Sequence, residues 1–140
     1  MSEQQFCTFY LGEHYFGVPV SEVQEIIRYQ DMTRVPLAPD VISGLINLRG
    51  QIVTAIDLRK RLEFEAKTDD KKLMNVVVRT NEGAVSLQVD EIGDVLEVPD
   101  DCFERCPETL KGAARDMIWG AYKLDKKLLL ILDTGKAINI

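Results

Sequence analysis

Short apolar runs closed by turn residues recur along the whole chain. No segment holds a helical apolar period for more than about three turns before a breaker intervenes, so the pattern predicts a mostly β protein. Phe6 to Leu11 and Tyr15 to Val18 flank Gly12-Glu13-His14, a short loop with glycine where positive φ is easy, and read as a hairpin. Ser21-Glu22-Val23-Gln24 has the spacing of a capping box, which predicts one helical turn before a strand from Glu25 to Tyr29. Pro36 and Pro39 then impose an extended loop, because proline locks φ and keeps the preceding residue out of the helical region. The strongest local signal is Gly44 to Leu58. Leu45, Ile46 and Leu48 lead into Arg49-Gly50, while Ile52, Val53, Ala55 and Ile56 lead out, which predicts a tight hairpin with Arg49-Gly50 at its tip.

The stretch Ala66 to Lys72 carries no large apolar side chain and is the natural connection between two sub-structures. Beyond it, Met74 to Thr80 and Ala84 to Val89 around Asn81-Glu82-Gly83 predict a second hairpin of the same style. Val76, Val77 and Val78 in succession predict a strand covered on both faces. Gly93 to Val98 continues the β pattern until Pro99, and Ile118 to Leu124 with Leu128 to Leu132 form a last hairpin around Asp125-Lys126. Asp133 is a suitable N-cap for a C-terminal helix through Lys136-Ala137-Ile138, although Gly135 weakens its first turn. About eight or nine short strands at this density favour closed or partly closed barrels, because closure removes exposed edges. The expectation is one domain over residues 1–140, with subdomains near 6–66 and 67–132 and residues 133–140 returning to the first.

Composition supports a folded chain. Its 140 residues are 46 % hydrophobic and 29 % charged, which is enough to bury a core without disulfides. Seventeen Lys and Arg oppose 23 Asp and Glu, for a net charge of −6, so nucleic acid and anionic membranes are poor partners. No apolar run approaches the roughly 20 residues that cross a bilayer. Met1-Ser2-Glu3-Gln4-Gln5 has neither the positive charge nor the apolar core of an export signal. A cytoplasmic protein without direct membrane insertion is expected. Cys7, Cys102 and Cys106 cannot all pair and read as reduced thiols.

Candidate chemistry is sparse. The single histidine, His14, sits beside a glycine turn and reads as an exposed loop residue rather than a catalytic base. Cys102 and Cys106 have no second Cys or His pair with which to complete a zinc site. Asp69-Asp70, Asp90-Glu91 and Asp100-Asp101 are adjacent carboxylates in turn-rich segments and read as solvated faces. Neither G-x-G-x-x-G nor a Walker-type loop occurs, and the ten aromatics never interleave with a basic stripe. No catalytic residue, metal or cofactor is therefore expected. Good hairpins with charged tips and no catalytic cluster suit a module that docks onto other proteins.

The segment from Gly44 to Arg59, GLINLRGQIVTAIDLR, resembles the signature hairpin of the CheW-like family, the coupling proteins of bacterial chemotaxis. Phe9 to Val20 followed by Val23-Gln24-Glu25-Ile26 is similar to the family's opening strands and V-x-E-I turn. Val89 to Leu96 is similar to the segment after its central hairpin, and Leu128 to Asp133 to its closing strand. The resemblance implies two SH3-like β-barrels packed together, with short helices and a C-terminal helix. It also implies a non-enzymatic adaptor bridging the cytoplasmic tip of a chemoreceptor and the regulatory domain of the histidine kinase CheA. By position, Glu25 and Arg49 match an acid and base that face each other and matter for coupling, and Asn47, Gly50 and Asp57 match beside them. Val23 corresponds to a receptor-facing apolar position, with a core valine as the competing reading; Gly50 supplies turn flexibility. Thr54 stands where the family often has proline, and Thr134-Gly135 replaces bulkier or charged residues at the start of the last helix. An adaptor of another chemosensory pathway, such as pilus-based motility, is the alternative; a small-molecule-binding barrel or a cysteine-dependent enzyme would be of a different class.

Overall fold

The computed structural model describes residues 3–64, 72–81, 83–99, 103–104, 112–124 and 127–139. The first hairpin forms where the pattern predicts: β1 (Glu3–Leu11) pairs antiparallel with β2 (His14–Pro19), and Gly12 turns at φ +60°. The capping box does not form. Val20–Glu22 make a single 3-10 turn with no side-chain cap, and Val23–Ile27 are already strand β3. The β-branched Val23, Ile26 and Ile27 favour an extended backbone, and pairing with β6 (Met74–Thr80) satisfies it.

The signature hairpin is β4 (Ile42–Leu48) and β5 (Gln51–Asp57), followed by a turn of helix α1 (Leu58–Arg61). After β6 come β7 (Gly83–Val89), β8 (Glu91–Pro99), β9 (Phe103–Glu104), helix α2 (Ala113–Asp116), β10 (Ile118–Lys123), β11 (Leu128–Leu132) and helix α3 (Thr134–Ala137). The expected C-terminal helix is one turn long, and the Asp133 carboxylate caps it by accepting from the Lys136 N–H at 3.2 Å. The connection at 66–71, the pairs Asp69-Asp70 and Asp100-Asp101, Cys102, Cys106, Glu82 and the tip Asp125-Lys126 lie outside the described residues.

The strands form two sheets, of order β8-β1-β2-β11-β10-β9 and β3-β6-β7-β5-β4, and make up two SH3-like subdomains. A division near residue 66 does not separate them. β1 and β2 belong with β8 to β11, whereas β6 and β7, downstream of the charged connection, complete the sheet of β3 to β5. Two parallel pairings produce this interleaving: β2 against β11 and β5 against β7. Each covers a hairpin edge that a division by sequence order would leave open. At the C-terminus, Arg61 of α1 donates to the carbonyls of Ala137, Lys136 and Asn139 at 2.8, 2.9 and 2.8 Å.

The five-stranded sheet curls until its edges approach. Thr33, on the chain leaving β3, exchanges backbone hydrogen bonds with Leu45 of β4 at 2.9 and 2.8 Å. Gly44 permits this, because a Cβ there would lie 2.7 Å from the Thr33 carbonyl oxygen. Side chains alternate between cores. Phe9, Leu11, Phe16 and Val18 of one sheet meet Ile56, Val76, Val78 and Leu87 of the other in a shared core. Val77 points instead into the five-stranded sheet's own core with Ile46, Val53 and Ala55. The three-valine strand is thus buried on both faces, as its sequence predicts.

Candidate protein-interaction site

Arg49-Gly50 is a two-residue hairpin loop, and both residues are left-handed, at φ +50° and +88°. Two successive positive φ values give the turn whose twist matches the flanking strands. Glycine accepts this freely, whereas at Arg49 it costs of order 1 kcal/mol. Asn47 braces the loop: its Oδ1 accepts from the Gly50 N–H at 3.0 Å. Gly50 is therefore a turn residue, as expected.

Arg49 Nη2 donates to the Glu25 carboxylate. Glu25 lies on β3 and Arg49 at the end of β4, the two outermost strands of their sheet, so the ion pair crosses the seam of the curled sheet. The guanidinium side chain is 74 % exposed and the carboxylate side chain 20 %. Hydrogen bonding from Arg49 holds the Glu25 carboxyl below its ordinary range, against a smaller opposing effect of desolvation. Val23, two residues back on β3, is half-buried, packed on one side against the shared core. Asp57 stands apart. It sits at the far end of β5 and caps α1 by accepting from the Lys60 N–H at 3.3 Å. The structure thus gathers Glu25, Asn47, Arg49 and Gly50 on one seam and leaves Asp57 in a local role.

Two apolar neighbours were not singled out from sequence. Ile52, opposite Asn47 in the hairpin, is 60 % exposed, and Ile26, next to Glu25, is 37 % exposed. The alternation that turns Val53 and Ala55 inward also turns Ile52 outward, so period-two reading would have found it. Ile52 edges an open depression of about 680 Å³ that Thr54, Asn81, Val85, Ile138 and Asn139 also line. A second ion pair went unread. Arg59 donates through Nε to Asp90 Oδ1 at 3.0 Å and through Nη2 to Oδ2, and Oδ2 also accepts from the Gly12 N–H at 2.7 Å. Asp90 is therefore a largely shielded junction residue and not the solvated carboxylate that its sequence neighbourhood suggests. His14 is exposed and stacks on Phe64 at 4.6 Å between ring centroids. Cys7 is buried, and desolvation pushes its thiol pKa up, opposite to what a nucleophile needs.

Residues 5–140 match the family described as the CheW-like domain. The chain belongs to the CheW-like family. It is 32 % identical to a chemotaxis protein CheW of Klebsiella aerogenes over 136 residues, covering 97 % of this chain and 82 % of that one. It is also 32 % identical to a chemotaxis protein CheW of Bacillus subtilis, covering 97 % and 87 %. A protein PilI of Pseudomonas aeruginosa is 26 % identical, with 87 % of this chain and 68 % of that one covered. Among solved structures, the scaffolding protein TtCheW of Thermoanaerobacter tengcongensis superposes with a TM-score of 0.89 at 25 % identity, covering 99 % of this chain and 94 % of that one. Among the described residues of this CheW-like chain, no helix is long and apolar enough to cross a membrane.

Proposed function

We propose that the protein is a non-enzymatic adaptor that couples the cytoplasmic tip of chemoreceptors to the regulatory domain of the histidine kinase CheA. It acts in the cytoplasm, at the membrane-associated receptor array, through protein contacts alone. The observation that carries this reading is the seam pair. Arg49 sits on a left-handed backbone, three-quarters exposed, in an ion pair that solvent screens and that therefore adds little to stability. A strained, exposed arginine of little structural value is the kind of group that association uses. Ile26 of β3 and Ile52 of β5 expose apolar area on the same sheet. In this reading the receptor tip engages the surface around Val23, Glu25 and Arg49, and the kinase domain engages apolar barrel ends. Each contact is of micromolar order, about −8 kcal/mol, and repetition in an array adds avidity.

The test is Arg49→Glu, which puts two carboxylates face to face. Receptor and kinase pull-down should fall at least about tenfold while the melting temperature stays within a few degrees. Parental levels of both partners in the pull-down would overturn the site assignment. A second reading is supported by the similarity to PilI: an adaptor of a pilus-based chemosensory system with the same surface and different partners. Co-purification from the native cell decides between them by which kinase appears.

A further inference from the structure

The resemblance leaves Thr134 unexplained, yet the structure gives it a partner. Thr134 Oγ1 donates to the Glu22 carboxylate, joining the first residue of α3 to the 3-10 turn directly before Val23 and Glu25. That turn has little of its own to hold it beyond the half-buried Val20. It is three residues long, has no side-chain cap and buries none of its residues. Its Glu22 side chain is committed outward, to α3. The C-terminal segment is in turn fixed from the other side by Arg61, whose guanidinium donates to three of its carbonyls at 2.8 to 2.9 Å. Ala137 is fully buried, and Ile138, Val20 and Val23 pack on the same shared core. A continuous chain of contacts therefore runs from α1 through α3 to the start of β3.

We propose that Thr134 and Arg61 are positioning residues for the interaction surface: α3 is a clamp that sets where β3 presents Val23 and Glu25 to a partner. This rests on the functional reading of the seam. Arg61 anchors α3, Thr134 passes that anchorage to Glu22, and Glu22 orders the turn from which β3 departs. The pairing of Glu25 with Arg49 across the seam then depends on a helix that lies more than 100 residues beyond Glu25 in sequence.

The experiment compares the full-length chain with Thr134→Val and Thr134→Ser. In the free protein, Thr134→Val should raise the NMR titration midpoint of Glu25 towards the ordinary glutamate value and speed exchange of the β3 amides about threefold to tenfold, the effect of one lost hydrogen bond. Exchange in β10 and β11 should not change, and Thr134→Ser should restore the parental Glu25 midpoint. An unmoved Glu25 midpoint in Thr134→Val, or a serine variant that behaves like valine, would overturn the clamp. Binding of the cognate receptor fragment is measured on the same samples. If the midpoint shifts and affinity falls about threefold, both ideas stand. If the midpoint shifts and affinity does not, the clamp stands and the assignment of this seam to receptor contact fails.

Discussion

An arginine paired with a carboxylate lies just beyond each end of β5, Arg49 in the hairpin loop and Arg59 in α1, and the two pairs do different things. Arg59 and Asp90 have side chains only 17 % and 13 % exposed, and Asp90 also accepts the Gly12 N–H. The pair thereby ties α1, the β7–β8 turn and the β1–β2 turn together where the two sheets meet. Arg49 and Glu25 are 74 % and 20 % exposed and tie only the edges of one sheet. The chemistry is the same, but solvent decides its worth. Removing one partner from a shielded pair strands a charge, whereas removing one from an exposed pair hands it to water. The junction pair is thus the one that carries stability, and the seam pair adds little to it.

The largest expected effect is at the junction. Asp90→Ala leaves Arg59 with fewer partners and the Gly12 N–H without its acceptor, and should cost about 2 to 4 kcal/mol. In a chain of this size the melting temperature should fall by roughly 6 to 15 °C. A loss below about 1 kcal/mol in urea titration would erase the contrast between the two pairs. Next comes Arg49→Glu, where partner binding falls at least about tenfold and stability barely changes, because solvent screens the pair. Asp57→Ala should cost about 1 kcal/mol through the lost cap of α1 and leave partner binding intact; a binding loss as large as that of Arg49→Glu would return Asp57 to the surface.

The smallest effect is the titration of Glu25. Its folded pKa is lowered, so the pair's contribution is complete above the ordinary glutamate value of about 4.3 and is lost as pH falls through the lowered one. The midpoint, followed by carboxyl chemical shift, should lie below that value and return towards it in Arg49→Ala. An unchanged midpoint in that variant would mean that Arg49 does not hold the carboxylate.

Much of this was legible along the chain. The hairpin around Arg49-Gly50 announced itself because its determinants are local: alternating apolar residues, a glycine at a left-handed position and an asparagine to brace it. Asp133 read correctly as a cap for the same reason. The capping box at Ser21 failed because strand pairing with β6 outweighed a weak local preference. Asp90 read as solvated because its shield, Arg59 and the Gly12 turn, comes from distant segments that meet only in the fold.

The sequence by itself determined that the chain is β-rich, where most hairpins turn, which valines are covered on both faces, and which family its signature resembles. Those properties follow from side-chain alternation and backbone preferences within a few residues. Only the tertiary structure decided which hairpins share a sheet, which arginine is structural and which lies open on the seam. Pairing across dozens of residues is selected by edge satisfaction and shared burial, and these energies do not exist until the distant strands come together.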